Sequence, residues 1–521
     1  MALLSDSWKL DMFAFLVGAL TLAYFYVKYA YSYWERKGFK TLPSYSYLLG
    51  HFKSLFSMEV SFGDWCKNIY NSTKEPFIGI YGILRPMLLV RDPELVRSIL
   101  VKDFANFADR GVHSNEDYDP LSGNLFSITG QKWKNMRSKL TPTFTSGKLK
   151  GMISTLNECG FKLQKHLDKL AAKREMLDVR EVSACHSTNV IASVAFGIEI
   201  NCLENPNNEF RVNGRKALDQ SFMNVIRGLI SFVQPKLMSI LRLKSVNSDV
   251  ERFIMSVVKD NMEYREKNNV SRKDFFQLLL QLRNNGTVQL DDKWETVIKA
   301  DEKQKSLSVN EMAAQAFIFF VAGFETSSTT LSFCLYEIVK NPEIQNRVIE
   351  EIDRVLEAHN GQFTYESISD MKYLESCIDE TLRKYPPLTI LNRTCLSDYK
   401  IPNTNKIIEK GTEMFIPIFG LQRDEKYYEE PNKFDPDRFN EENSVGKNQS
   451  NRPYYPFGDG PRNCIGMRLG KMQTKVGLVM MLQKYKFELE DRLKSDRELE
   501  FDSKSFLLNP IGGISFHVKR R

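Results

Sequence analysis

The chain has 521 residues, 42% of them hydrophobic, and a formal net charge of +7; this is enough apolar material for a large buried core and excludes a disordered protein. Basic and acidic residues are mixed rather than run into blocks, which argues against nucleic-acid binding and leaves open a basic face for an acidic protein partner. The eight cysteines, at 66, 159, 185, 202, 334, 377, 395 and 464, form no CxxC pair, so a zinc knuckle or a redox dithiol is not suggested and a reducing compartment fits best.

The first predicted element is MFAFLVGALTLAYFYV, residues 12–27, sixteen residues without a charge. It is just long enough to span a bilayer, with Lys28 able to snorkel and Tyr29, Tyr31, Tyr33 and Trp34 placed as an interfacial belt. A cleaved signal peptide is the rival reading. Against it, Lys9 is offset by Asp6 and Asp11, and no A-x-A site follows the apolar run. The expected organisation is a retained membrane anchor over 1–34 and a catalytic body over 35–521. Positive charge at Lys28, Arg36, Lys37 and Lys40 predicts a body on the cytosolic side, where the sequons at Asn71 and Asn285 go unused.

Pro43 and Gly50 then suggest a turn that sets the body against the membrane surface. FIGIYG (77–82) and MLLVRD (87–92) read as a hairpin, followed by a helix opening at Pro93. From about 130 to 385 the apolar periodicity is helical. Polar stretches at roughly 283–307 and 441–452 read as surface loops, and KIPNTNKIIEKGTEMFIP and FLLNPIGGISFHV as short strands and turns. The class is mainly α with a minor β part, and no linker divides the body.

Ser308 and Glu311 form a capping-box pattern ahead of MAAQAFIFFVAG, which is apolar nearly all round, as in a helix through a protein's centre. Twelve residues are too few for a second span. Within the following AGFETS, Gly323 lacks a side chain, and Glu325 and Thr326 bring an acid and a hydroxyl into apolar surroundings. Two readings stand side by side. Either Glu325 faces a polar loop and Thr326 bonds back to the carbonyl four residues earlier, or the pair has a chemical task.

FGDGPRNCIG, Phe457 to Gly466, surrounds one cysteine with glycines, an arginine and a phenylalanine immediately before an amphipathic helix. A thiol at a helix N-terminus is favoured as thiolate, hence as a nucleophile or metal ligand. Gly458 and Gly460 permit a tight turn, and Gly466 admits something flat, on which Phe457 packs while Arg462 meets negative charge. A haem with an axial thiolate from Cys464 satisfies every element. A nucleophilic cysteine lacks a partnering histidine among positions 51, 113, 166, 186, 359 and 517, and a plain buried thiol explains neither the glycines nor the arginine.

At this point the sequence resembles the cytochromes P450, whose haem loop follows Phe-x-x-Gly-x-Arg-x-Cys-x-Gly; Phe457, Gly460, Arg462, Cys464 and Gly466 match every fixed place. Ala322, Gly323, Glu325 and Thr326 match the family's Ala/Gly-Gly-x-Asp/Glu-Thr. There the small pair opens a groove for dioxygen, the threonine hydrogen-bonds it and the acid relays protons. Glu380 and Arg383 match Glu-x-x-Arg, with Arg438 as the arginine that joins them in a structural lock. Trp133 and Arg137 match the Trp-x-x-x-Arg whose side chains reach a haem propionate, as Arg393 does; Arg110 is a weaker candidate for the same task.

The resemblance implies the cytochrome P450 fold behind a transmembrane helix, with haem b as cofactor. The implied activity is monooxygenation of lipophilic small molecules with electrons from an NADPH-cytochrome P450 reductase, cytochrome b5 being a second candidate donor. No G-x-G-x-x-G follows a strand and no P-loop occurs, in keeping with electrons from outside. Arg468, Lys471, Lys475 and Lys134 are candidates for a basic docking face, against the reading that they are ordinary solvated cations.

TPTFTSGKLK, AGFETSSTT and DETLRKYPPL are similar to insect microsomal members associated with xenobiotic metabolism, and to vertebrate drug-metabolising enzymes. This implies an endoplasmic-reticulum location and a broad apolar pocket. Its expected lining includes the loop Val112 to Phe126, the stretch Phe222 to Leu241, Phe317 to Ala322, Leu388 to Leu391 and Leu507 to Gly513. Oxidation of an endogenous lipid or hormone, peroxide rearrangement without a reductase, and a non-catalytic haem-binding or ligand-sequestering membrane protein are the alternatives. Members of the peroxide-rearranging kind usually lack the acid and threonine pair.

Overall fold

The computed structural model describes residues 7–43, 45–272, 274–285, 306–440, 452–495 and 497–521. The apolar N-terminal segment forms the helix Trp8–Tyr31. Its 24 residues make a rod of about 36 Å, enough for a hydrocarbon core of about 30 Å. Leu16, Leu20 and Phe25 stand exposed along it, so the rest of the protein leaves its apolar surface uncovered. The predicted aromatic belt divides, because Tyr31 and Trp34 are each only 1% exposed. The Tyr31 hydroxyl donates to the Gly82 carbonyl (3.2 Å) and the Trp34 indole N–H to Ile80 (3.0 Å), while Tyr33 donates to Glu409 (2.7 Å). These three side chains are committed to the body; Tyr29 stays outside, beneath the Arg36 guanidinium.

The predicted hairpin forms β1 (Phe77–Tyr81) and β2 (Pro86–Val90), antiparallel with Phe77 opposite Val90, and Asp92 caps the helix that opens at Pro93. β3 (Met176–Asp178) lies inside the stretch predicted to be helical. β4 (Leu391–Thr394), β5 (Tyr399–Lys400), β6 (Ile407–Ile408) and β7 (Glu413–Ile416) follow, then β8 (Tyr485–Leu489) and β9 (Ser515–Arg520). β7 runs parallel to β2 and antiparallel to β4, giving the sheet order β1-β2-β7-β4, in which β4 carries the buried Arg393. A second sheet has the order β3-β9-β8, and β5 pairs with β6. β3 escapes local pattern reading because its partner lies more than three hundred residues away.

The capping box at Ser308 is formed: the Ser308 hydroxyl accepts from the Glu311 N–H (3.1 Å) and the Glu311 carboxylate from the Ser308 N–H (3.0 Å). It starts the central helix Val309–Lys340, whose apolar side chains are buried against the helices Val179–Ile191, Lys372–Lys384 and Met467–Leu482. Each fully buried phenylalanine there, such as Phe320 or Phe324, contributes about 1.5–3 kcal/mol. This helix is also long and apolar enough to cross a membrane, but two thirds of its most apolar window is inside the protein. At 283–285 the helix Phe275–Asn285 replaces the predicted loop, while 286–305 and 441–451 lie outside the described residues. The architecture is the expected one, mainly α with small sheets.

Candidate active site

The cysteine loop is built from backbone. The Cys464 N–H donates to the Phe457 carbonyl (2.8 Å) and the Asn463 N–H to Gly460 (3.1 Å), closing a tight turn over half-buried Phe457. Gly460 has φ +69°, and a Cβ there would fall 1.9 Å from the Leu100 carbonyl oxygen, so no other residue fits. The helix Met467–Leu482 begins just beyond, as the sequence predicts, and the Gly466 N–H points at the Cys464 sulfur. Burial nevertheless pushes the Cys464 thiol up, outweighing the lowering by Gly466, Arg110 and Arg137. The helix start does not by itself make a thiolate here; bonding to a cation has to complete the ionisation. Seven cysteines are buried, and Cys464 is the one whose side chain is accessible.

Four arginines gather beside the cysteine loop: Arg110 and Arg137 act on the sulfur itself, and Arg393 and Arg462 crowd Arg110. Arg462 donates to the carbonyls of Ala108 and Ile128, lies 3.3 Å from Asp109 and stacks on buried Trp133 at 4.6 Å. Arg137, one turn along from Trp133, donates to the Asn463 carbonyl (2.8 Å) and side-chain oxygen (2.9 Å). Arg110 donates to the carbonyls of Phe126 (3.1 Å) and Arg462 (3.0 Å). Arg393 lies within 1% of full burial and uses one nitrogen on the Asn392 carbonyl (2.8 Å). Burial and then repulsion from Arg462 push Arg393 down to about 9; burial brings Arg462 down to about 10 despite Asp109. Arg110 is lowered well below its ordinary value by burial and by Arg393 and Arg462. Among the described residues Asp109 is the carboxylate paired with this group, so four cations face one anion. The Nε atoms of Arg393 and Arg462 are buried without a hydrogen-bond partner.

On the other side stands the central helix. Ala322 is exposed although it lies midway along a core helix, and Ile318, one turn earlier, is half-buried. The central helix meets the helix after Cys464 where the Gln473 amide donates to the Gly323 carbonyl (3.3 Å). An accessible methyl and an accessible sulfur in the interior require a hollow beside them. Gly323 does not widen it: a Cβ there would strike Ile191 at 2.4 Å, so its missing side chain is filled by the helix Val179–Ile191, and Ala322 alone borders the opening. The Thr326 hydroxyl donates to the Ala322 carbonyl (2.7 Å), the back-bond that the sequence left open. Glu325 is also partnered, accepting from Arg180 (2.8 Å), whose other nitrogen donates to Asn509. Nothing in the local sequence marks Arg180 as the partner of Glu325.

Beneath this region Glu380 and Arg383 are wholly buried and joined by two hydrogen bonds of 2.7 and 2.8 Å, with Arg438 3.4 Å from Glu380. Two of the four candidates for a basic docking face are tied up in ion pairs. Lys471 pairs with Asp379 (2.6 Å), and Lys475, only 4% exposed, pairs with Glu375 (3.1 Å); Arg468 and Lys134 remain outside. Of the aromatic residues expected to line a pocket, Phe319 packs between Phe144 and Phe275, Phe317 is in the core and Phe222 is 62% exposed. Phe232 stacks on Phe506 and borders a cavity of about 220 Å³ with Leu229, Leu507, Arg180 and Glu325.

The residues present fit haem b. Its iron suits an accessible sulfur that needs a cation, its two carboxylates suit a buried excess of guanidinium with unpartnered nitrogens, and its flat ring suits the open flank at Gly466, where a Cβ would meet nothing within 4 Å. Similarity to known proteins agrees. Residues 44–515 match the model of the family described as Cytochrome P450. Relatives include the probable cytochrome P450 6d5 of Drosophila melanogaster, 41% identical over 503 residues covering 96% of this chain and 97% of that protein. The cytochrome P450 6k1 of Blattella germanica is 40% identical over 512 residues (97% and 96%), and the cytochrome P450 6d3 of Musca domestica 38% over 521 (97% and 98%). An exposed cysteine beside a cluster of buried arginines, in a chain related over nearly its whole length to these proteins, makes this protein a member of the cytochrome P450 family of haem-thiolate monooxygenases.

Proposed function

We propose that the chain is a membrane-anchored monooxygenase of the endoplasmic reticulum, with its body in the cytosol. It inserts one atom of dioxygen into lipophilic substrates, foremost xenobiotics such as plant toxins or insecticides. Electrons come from NADPH-cytochrome P450 reductase, with cytochrome b5 as a second donor. The observation that carries this reading is an exposed cysteine, Cys464, beside a cluster of four arginines paired with one carboxylate. When bound, thiolate-ligated haem supplies the reductive activation of dioxygen and the transfer of oxygen to carbon.

The chain's own residues have separable tasks. Cys464, held by its loop hydrogen bonds, would bind the haem iron through its sulfur. Arg110, Arg137, Arg393 and Arg462 would neutralise the haem carboxylates, with Trp133 as platform for Arg462, and half-buried Phe457 would offer its ring to the macrocycle. Ala322 leaves room for dioxygen. Thr326 holds a proton at its hydroxyl, and the Glu325 carboxylate, oriented by Arg180, relays its replacement from solvent. Exposed Phe222, Met223, Ile240 and Leu241 give the stretch 222–241 an apolar surface for lipid, a route by which lipophilic substrates enter.

Two measurements test this reading. Cys464→Ser is expected to abolish the thiolate-type spectrum of the carbon-monoxide complex; retention of that spectrum refutes the ligand assignment. Reconstitution with reductase is expected to yield NADPH-dependent oxygenated product from a panel of plant toxins, insecticides, fatty acids and steroids. Peroxide turnover without NADPH, or tight binding without turnover, overturns it, and product from fatty acids or steroids alone favours an endogenous role.

A further inference from the structure

Gln315 is the polar residue in an otherwise apolar run at the start of the central helix, and it is fully buried. Both ends of its amide are used on one loop. Its NH₂ donates to the Gly123 carbonyl (3.1 Å), and its oxygen accepts from the Leu125 N–H (2.9 Å). A planar amide bonded at both ends fixes a backbone segment in position and orientation, as a neighbouring strand would, and this loop belongs to no sheet. The loop keeps its shape by itself: the Asn124 side-chain oxygen accepts from the N–H groups of Phe126 (3.0 Å) and Ser127 (3.3 Å), and its NH₂ donates to the Leu121 carbonyl (2.8 Å). Gln315 adds the tie to the central helix.

The same loop supports the arginine group. The Phe126 carbonyl accepts from Arg110 (3.1 Å) and Arg462 (3.4 Å), the Ile128 carbonyl accepts from Arg462, and the Phe126 ring lies 4.3 Å from the Arg110 guanidinium. A path of hydrogen bonds and backbone therefore runs from Gln315 through residues 123–128 to the guanidiniums of Arg110 and Arg462. Displacing the loop moves both of them, and with them the Leu125–Phe126 wall.

We propose that Gln315 is a positioning residue that seats the loop 121–128 against the central helix and thereby holds Arg110 and Arg462 at the edge of the haem. This rests on the haem reading above, and it adds a determinant of haem retention outside the cysteine and arginine motifs.

The test uses the full-length holoenzyme with Gln315→Met, which keeps most of the volume and neither hydrogen bond, and Gln315→Glu, which keeps the acceptor for Leu125. In Q315M, hydrogen exchange at the Leu125 amide and transfer of haem to an acceptor globin are each expected to rise about tenfold, as loss of a buried clamp implies. The propionate bending bands of the resonance Raman spectrum are expected to shift. Q315E is expected to keep Leu125 protected and to lose haem at an intermediate rate. Wild-type haem transfer and unshifted bands in Q315M overturn the proposal, even if Leu125 exchanges faster. If Q315M does not accumulate, a wild-type transfer rate in Q315E overturns it. Failure of the haem reading is told apart because Cys464→Ser reports on the ligand, whereas Leu125 exchange reports on the clamp alone.

Discussion

Thr326 and Glu325 sit in the middle of the central helix with partners already in hand, a helix carbonyl and Arg180. A hydroxyl that donates to its own helix still offers lone pairs to water or substrate oxygen, so the back-bond orients the group rather than consuming it. Thr326→Ala removes it while improving helix propensity, and the fold is expected to stand. In the reconstituted enzyme NADPH consumption is expected to continue while product per NADPH falls by about tenfold, within the range typical of lost acid–base assistance. Unchanged coupling would count against the proton-transfer role. Gly323 carries the opposite lesson, since its lack of a side chain serves the packing of Ile191.

Among the elements, the N-terminal helix divides into an outward part and an inward end. Trp8 to Ala30 contribute no buried side chain, whereas Tyr31 and Trp34 are held by β1 and the turn after it. Deleting residues 1–30 is expected to move the protein largely from the membrane pellet to the supernatant with haem retained. Deleting residues 1–34 also empties the site of the buried Trp34 ring, a loss of about 3–5 kcal/mol for a large aromatic, and is expected to lower the thermal midpoint sharply. Equal midpoints for the two truncations would show that Trp34 does not belong to the body. Unchanged pelleting of the shorter truncation would refute the anchor.

For the molecule as a whole, Glu413 on β7 makes stability depend on pH. It is 2% exposed, accepts from Thr394 (2.6 Å) and Arg85 (2.8 Å), and burial pushes its carboxyl up to about 7 against those partners. The folded state therefore binds this proton more tightly than the unfolded chain, whose carboxyl titrates near 4.5. Stability from this group is greatest below pH 4.5 and falls by about 3 kcal/mol as the pH rises through 7. Glu181, lowered to about 2 by Arg211 and Arg215 against its burial, has the opposite sign and changes only in more acid solution. Glu413→Gln is expected to remove this decline, measured as the difference between variant and wild type in denaturant unfolding at pH 5 and pH 7.5. A difference that stays constant across that interval would refute the assignment.

The cysteine loop, the capped central helix, the first hairpin and the apolar N-terminal helix were legible in the sequence, because each depends on neighbours within a turn or two: glycine conformations, a capping side chain, strand alternation, an uninterrupted apolar run. Tertiary structure decided the rest. It paired β3 with β9, sent Phe317 into the core, withdrew Lys475 into an ion pair and joined Glu325 to Arg180. It also turned Gln315 toward a loop some 190 residues earlier in the chain. The physical reason is that hydrogen bonds, ion pairs and burial depend on distance in space, and local sequence patterns carry no information about which distant segment arrives beside them.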